Sequence, residues 1–308
     1  MRDVVVASLL TVAMARGPSA DDVEALLRSA LALDGPVLTE TISGDRRPVL
    51  LMAGSGKKGV RSPNVSTPAA LVAAAGGARV IKVGSAAASS ALGSRDLIRA
   101  LGLPEHRTAA EVRAGLAARG FAFVAVEPAI PRLDSIYGGR FHAPNPFSFG
   151  LAPLASPVRG DITVFGLSHP RIDVAAEVLS RFGLKAVDVV CTRLPDGSYI
   201  DEISSVGRLR RCRVREGRVG RAETWPVTPA PDSSHSTVAP VRDPWATLEK
   251  TTDLLAGKGE GRHHAAVALT AGHLLGLSGI STSLSAGTEL AEEILRSGAA
   301  LPKGSFSQ

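Results

Sequence analysis

Gly54-Ser55-Gly56-Lys57-Lys58-Gly59, followed closely by Asn64-Val65-Ser66-Thr67-Pro68, holds the residue types of this chain best suited to chemistry. Glycine-rich turns let several backbone N–H groups crowd around one anion. Pro68 suits the first turn of a helix with Ser66 or Thr67 as its cap, and such a helix aims its positive end back at the loop. Two hydroxyls, an amide and two lysines beside it make a phosphate site; a tight strand–helix turn with solvated lysines is the plainer reading. A second construction of the same kind follows, with Lys82-Val83-Gly84-Ser85, then Ser89, Ser90, Gly93 and Ser94 leading into Asp96, Leu97, Ile98 and Leu101 at helical spacing. Two adjacent anion-friendly turns point to a ligand with two phosphate groups, against the alternative of two small-residue packing turns. Further on, Asp201-Glu202 follows the turn Pro195-Asp196-Gly197-Ser198. Adjacent carboxylates suit a hard cation held by few protein ligands and several waters, or form a solvated acidic loop.

These groups need a frame that brings them to one place. Pro48–Gly54, Ala78–Gly84, Phe121–Val126, Asp161–Gly166 and Ala186–Val190 are short continuous apolar runs, as expected of parallel strands buried on both faces. Between them lie helices: one opens at Thr108 with Glu111 completing a capping box, another covers about 173–182 and stops at Gly183. The alternation predicts an α/β fold, a mostly parallel sheet flanked by helices, whose adjacent strand ends share one crevice. Ahead of it, Ser19 starts a helix with Val23, Leu26, Leu27, Ala30 and Leu31 at helical spacing. A small helical N-terminal domain over residues 1–45, joined by part of 133–155, is therefore expected. Arg208–Arg221 reads as an arginine-rich hairpin, 226–244 as a Pro/Ser-rich loop, and three helices over about 245–256, 263–278 and 286–297 close the chain.

The composition, 308 residues with 44% hydrophobic and 21% charged, is that of a globular protein with a sizeable core. No apolar run approaches the roughly 18 residues that would span a bilayer, so no membrane partner is expected. The start of the chain reads as a helix rather than a leader, because Asp3 interrupts its basic beginning. Two cysteines, Cys191 and Cys212, build neither a disulfide scaffold nor a zinc site, which makes the cytoplasm the expected location. A net charge of +6 favours anionic ligands. Lysine is rare, seven against twenty-eight arginines, and Lys57, Lys58 and Lys82 all flank the glycine-rich region. The arginine-rich hairpin lacks interleaved aromatics for base stacking, which argues against a nucleic-acid partner. His263, His264 and His273 lack a metal-type carboxylate partner at helical spacing and read as packing or surface positions.

The order of glycine loop, N-x-S-T, K-x-G and S-S-x-x-G-S-x-D resembles the anthranilate phosphoribosyltransferase family, related in fold to pyrimidine nucleoside phosphorylases. The matching blocks are Gly54–Gly59, Asn64–Thr67, Lys82–Ser85 and Ser89–Asp96. Pro153-Leu154 with Pro157 resembles that family's GPLTNP turn, Asp201–Ser204 its DE-[LI]-S block, and Ala7–Gly35 its second helical hairpin. The resemblance implies a small helical domain and a larger α/β sugar-donor-binding domain, here 46–308, with the active site between them. It further implies that phosphoribosyl pyrophosphate lies on the glycine loop and serine turns, with Mg2+ near Asp201 and Glu202, and that no nucleophilic residue is used. The transition state is oxocarbenium-like, so positioning and electrostatics do the catalysis. On this footing the donor-binding residues are Gly54, Ser55, Gly56, Lys57, Lys58, Asn64, Ser66, Thr67, Lys82, Ser90 and Ser94, with Asn64 steadying the sugar.

The departures from that pattern bear on the acceptor. The loop acid falls on Lys58 and the last loop glycine on Lys57; the KHGN block has become Lys82-Val83-Gly84-Ser85, and the HHP turn Ala129-Ile130-Pro131. The family's carboxylate-holding arginine falls on or near Asn145. These losses imply a small heteroaromatic acceptor other than anthranilate. Asp134, Tyr137, Arg140, His142, Asn145, Phe147 and Phe149 fill the acceptor side, either as a pocket for a planar ring or as hinge aromatics packed between domains. Ser85, Tyr137, Arg140, His142 and Asn145 are the expected acceptor-binding residues, and Lys58, Arg140 and His142 the expected catalytic ones. The expected function is a glycosyltransferase of specialised metabolism, and a homodimer is a further expectation. Its donor is phosphoribosyl pyrophosphate or a nucleotide diphosphate sugar gripped by the two loop lysines. A non-catalytic nucleic-acid-binding relative and a nucleoside phosphorylase are the alternatives.

Overall fold

The computed structural model describes residues 2–35, 39–56, 64–86, 92–138, 140–141, 143–226 and 243–302. Two helices come first, α1 (Arg2–Ala15) and α2 (Ala20–Leu31). Ser19 caps α2 by accepting a hydrogen bond from the Asp22 amide at 3.1 Å, and Val23, Leu27 and Ala30 form its buried stripe. The strands are β1 (Glu40–Thr41), β2 (Val49–Gly54), β3 (Arg79–Gly84), β4 (Phe121–Ala125), β5 (Val158–Arg159), β6 (Ile162–Gly166), β7 (Val187–Arg193), β8 (Tyr199–Ile200), β9 (Arg208–Arg215), β10 (Arg218–Val219) and β11 (Glu223–Pro226). The remaining helices are α3 (Ser66–Ala75), α4 (Ser94–Ala100), α5 (Ala109–Arg119), α6 (Pro131–Tyr137), α7 (Leu151–Leu154), α8 (Ile172–Arg181), α9 (Pro244–Leu255), α10 (Gly261–Leu277) and α11 (Leu284–Arg296).

The main sheet runs β10-β9-β7-β6-β2-β3-β4, with β11 on β9 and β8 on β7. Its centre, β4-β3-β2-β6-β7, is parallel, and β9 closes one side antiparallel to β7. The five apolar runs are thus strands of one α/β sheet, as expected. The fifth extends to Arg193, because its far half pairs with β9 and β8.

Successive side chains of a strand face opposite sides of the sheet. Leu51, Ala53, Ile81 and Val83 join one buried cluster with Val23 and Leu27 of α2 and Val174 and Val178 of α8. Leu50, Met52 and Val80 join the other, with Ala69 and Val72 of α3 and Leu274 and Leu275 of α10. Both faces are covered, so most positions are apolar, which produces continuous runs in place of alternation.

Topology fixes where a ligand can sit. From β2 the chain moves outward through β3 to β4, then returns to β6 on the other side of β2 and continues to β7. The strand order reverses between β2 and β6, and a crevice opens above their C-terminal ends. Gly54 and Gly166 face each other in register there. A Cβ on Gly166 would come within 2.0 Å of the Asp201 carbonyl oxygen, so only glycine lets the Asp201 segment cross this end of the sheet.

The arginine ribbon is bound into the fold. Arg211 donates to both carboxylate oxygens of Asp188 on β7, with Nε at 2.7 Å from Oδ1, and His273 Nε2 of α10 lies 3.1 Å from Asp188 Oδ2. Burial alone would raise the Asp188 carboxyl's pKa, but His273 and Arg211 outweigh it and hold the group below the usual carboxylate range. Arg210 donates to the Pro170 carbonyl, and Arg213 lies 3.7 Å from Glu223. His273 therefore packs against the sheet as a polar partner, in line with its expected packing role.

Candidate active site

A cavity of about 440 Å³ lies over the C-terminal ends of β2 and β3 and the segment after β4, with Asp201 and Glu202 as part of its wall. Gly54, Ser55 and Gly56 form one edge. Gly56 has φ +67°, a left-handed conformation that favours glycine. The Ser55 amide donates to the Gly166 carbonyl at 2.8 Å, and the Ser55 hydroxyl donates to Asp201 Oδ2 at 3.2 Å. Asp201 and Glu202 line the wall beside it, only 8% and 6% exposed. Lys57, Lys58 and Ser90 lie outside the described residues, as does His142.

Two helix starts meet at the cavity, and one residue joins them. Asn64 Oδ1 accepts from the Thr67 amide at 3.1 Å, while Asn64 Nδ2 donates to Ser94 Oγ at 3.3 Å. The cap of α3 is therefore the Asn64 side chain, not Ser66 or Thr67 as the sequence reading expects. The reason is spacing: Asn64 stands three residues before the Thr67 N–H, whereas Ser66 and Thr67 are already helical. Ser66 lines the cavity. Thr67 does not, being fully buried with a hydroxyl that has no hydrogen-bond partner among the described residues.

On the next turn, Gly84, Ser85, Ser94 and Arg95 line the cavity. A Cβ on Gly84 would lie 2.6 Å from the Ser94 Cβ, so glycine lets α4 begin close against the end of β3. Lys82 also reaches the cavity, with its side chain 2% exposed and its ammonium donating to the Val83 carbonyl at 2.7 Å. Gly54, Ser55, Gly56, Asn64, Ser66, Lys82, Ser85, Ser94, Asp201 and Glu202 thus share one cavity, although the sequence spreads them over about 150 positions.

The acceptor side is rearranged relative to expectation. Tyr137 lines the cavity together with Asp134 and Phe147. The Tyr137 hydroxyl lies 2.9 Å from Asn145 Nδ2, and burial pushes its pKa up to about 12, with the Asn145 and Ser148 hydrogen bonds opposing. Asn145 does not line the cavity. It is 4% exposed and caps the turn Pro146–Phe149 by accepting from the Phe147 amide at 3.1 Å. Arg140 does not line it either; it is turned to the surface, where Nη1 donates to Asp3 of α1 at 2.7 Å. Phe149 is wholly buried and packs edge-on against His169.

The structure adds residues that the sequence reading missed. Arg95 grips Glu105 with two hydrogen bonds of 2.8 Å and lies 3.5 Å from Glu127. Arg95 holds the Glu105 carboxyl down to about 2, with Arg99 assisting and burial opposing. Glu127 lines the cavity and accepts from the Ala86 amide at 2.6 Å through Oε1. No motif spacing marks this set, since its members come from α4, the segment before α5 and the end of β4. His263, read as a packing or surface histidine, lies with Nε2 3.0 Å from the Asn64 carbonyl and braces the α3 start.

The carboxylate wall fits magnesium by its donor chemistry. Two buried acids and a neighbouring hydroxyl are hard oxygen donors, and Mg2+ keeps several waters or phosphate oxygens besides one or two carboxylates. Among the described residues no group of three or more His, Cys, Asp or Glu forms a complete protein cage. A cation here would draw its remaining ligands from water and substrate.

A sequence model described as the glycosyl transferase family, a/b domain, matches residues 47–301. The anthranilate phosphoribosyltransferase of Corynebacterium aurimucosum is 30% identical over 96% of this chain and 84% of its own length. That of Pyrobaculum islandicum is 34% identical over 98% and 88% respectively. Among solved structures, the anthranilate phosphoribosyltransferase of Thermus thermophilus superposes with a TM-score of 0.70 at 31% identity, covering 97% of this chain and 87% of the other. The Saccharomyces cerevisiae enzyme in complex with PRPP and Mg shares the fold, with a TM-score of 0.70 at 20% identity over 97% and 82%.

Proposed function

Because this chain belongs to the glycosyl transferase family that includes the anthranilate phosphoribosyltransferases, a family of pentosyltransferases, we propose that its cavity transfers a phosphoribosyl group. The donor is phosphoribosyl pyrophosphate with Mg2+, and the acceptor is a small aromatic compound other than anthranilate. One observation carries the donor half: the starts of α3 and α4 and the Asp201-Glu202 pair meet at a single cavity over the ends of β2 and β3. Magnesium in a donor complex of the Saccharomyces cerevisiae relative agrees with the donor set at Asp201 and Glu202. The acceptor half rests on the absence of the expected carboxylate-holding arginine, whose place falls on the buried cap Asn145. The nucleotide-sugar alternative depends on Lys57 and Lys58, which lie outside the described residues.

In this reading Ser66, Ser94 and the N–H groups at the two helix starts bind the donor phosphates. Lys82 adds a buried positive charge, worth more in a water-poor cavity than at the surface. Asn64 fixes the two helix starts relative to each other, so the donor groups are arranged before the reaction begins. Held by Asp201 and Glu202, Mg2+ would neutralise charge on the diphosphate. The sugar C1–O bond to the diphosphate breaks as the acceptor approaches C1 from the opposite face, with inversion. The 46–308 segment binds the donor, and part of 133–155 borders the acceptor.

Release of pyrophosphate from phosphoribosyl pyrophosphate, measured with a panel of aromatic amines, tests the proposal. Release that needs both an acceptor and Mg2+ is expected. A chain that binds the donor yet releases pyrophosphate with anthranilate alone contradicts the acceptor half.

A further inference from the structure

Helix α10 does not line the cavity, yet it holds segments from two of its sides. Near the helix start, His263 Nε2 lies 3.0 Å from the Asn64 carbonyl oxygen. That oxygen can only accept, so Nε2 carries the bridging proton. Seven residues on, the Thr270 hydroxyl donates to the Ile203 carbonyl at 3.4 Å. The hydroxyls of Thr251 and Thr252 in α9 instead turn back on their own helix, the usual habit of a helical threonine. Positions seven apart share one helix face and lie about 10 Å apart along its axis. One face of α10 thus grips two backbone carbonyls. Asn64 joins the starts of α3 and α4, and Ile203 adjoins the acids Asp201 and Glu202.

The helix is itself firmly placed. His273 ties its far half to Asp188 of β7 at 3.1 Å, and Leu274 and Leu275 share a buried cluster with Ala69 and Val72 of α3. A Cβ on Gly272 would come within 2.5 Å of the Thr288 amide nitrogen, so α11 packs against α10 backbone to backbone. The acid segment has a second tie, from Thr192 of β7, whose hydroxyl donates to the Glu202 carbonyl at 2.6 Å. We propose that His263 and Thr270 are positioning residues that set the spacing between the phosphate-binding helix starts and the acid pair. This rests on the reading of the cavity as a phosphoribosyl-transfer site. A diphosphate with its cation must meet N–H groups on one side and carboxylates on the other at the same time. A spacing fixed before binding avoids the entropy cost of ordering two loose segments around the ligand.

The test is calorimetric titration of phosphoribosyl pyrophosphate with Mg2+ into the whole chain and its variants, beside thermal unfolding of the same samples. His263→Ala and Thr270→Val should each weaken donor binding at least about fivefold, with melting temperature lowered by no more than about 4 °C. His263→Gln keeps an N–H where Nε2 stands, and Thr270→Ser keeps the hydroxyl, so each should stay within about twofold of the unsubstituted chain. Because both contacts set one spacing, His263→Ala combined with Thr270→Val should lose less than the product of the two single losses. Donor affinity within about twofold in either single variant, no recovery with glutamine or serine, or losses that multiply overturn the inference. So does a fall in melting temperature beyond that limit, which would assign the contacts to folding alone. Failure of the unsubstituted chain to bind the donor overturns instead the transfer reading beneath it.

Discussion

Removing one charge from the acid pair is a sharp change at the scale of a single residue. Asp201→Asn keeps the shape of the side chain and a partner for the Ser55 hydroxyl, now 3.2 Å from Asp201 Oδ2. Magnesium-dependent donor affinity should fall at least about tenfold, with melting temperature changed little, as calorimetry and thermal unfolding would show together. Glu105 gives the pH prediction. Its folded pKa, about 2, lies below the ordinary carboxylate value. Its stabilisation is therefore complete above pH 4.5 and disappears as the pH falls towards 2. Glu105→Gln should cost about 2 kcal/mol near pH 7, allowing for partial solvent screening, and the cost should shrink steadily below pH 4.5 in urea unfolding. The glycine, serine and acid positions were legible in sequence because their chemistry depends on residue type and local spacing. Arg140 and Asn145 were not. Which way Arg140 turns is decided by Asp3, 137 residues away, and no local pattern separates a buried cap from a ligand contact.

At the scale of elements, close backbone approach controls the site. Gly166→Ala would place a Cβ 2.0 Å from the Asp201 carbonyl oxygen, a clash that must move backbone. The prediction is a folded protein whose magnesium-dependent donor binding is weakened more than its stability would suggest. Titration calorimetry set beside thermal unfolding of Gly166→Ala checks it, and unchanged donor affinity would show that the acid segment does not need this approach. The five central strands and the capping box at Thr108 were readable because burial on both faces leaves continuous apolar runs and caps obey short spacings. The cap of α3 was misplaced by a few residues because serine, threonine and asparagine all compete for that role. The network of Arg95, Glu105 and Glu127 was invisible, since three separate elements must fold before its members meet.

For the whole molecule, the decisive feature is the adjacency of β2, β3 and β4 in the sheet, which brings scattered motifs at the strand ends to one cavity. Periodicity gives strands but not their order, so the fold class could be read while the position of the crevice came from the motifs. The net charge of +6 draws anions to the surface, yet the ribbon arginines at 210, 211 and 213 have partners within the fold. Among the described residues no helix is long and apolar enough to cross a membrane. The central claim, a donor site for phosphoribosyl pyrophosphate with magnesium, is tested most directly by calorimetric titration of that compound and a panel of nucleoside diphosphates, with and without Mg2+. The account predicts binding of phosphoribosyl pyrophosphate that strengthens at least about tenfold with the metal and weak binding of the nucleotides. Selective binding of one nucleoside diphosphate, indifferent to metal, would contradict it.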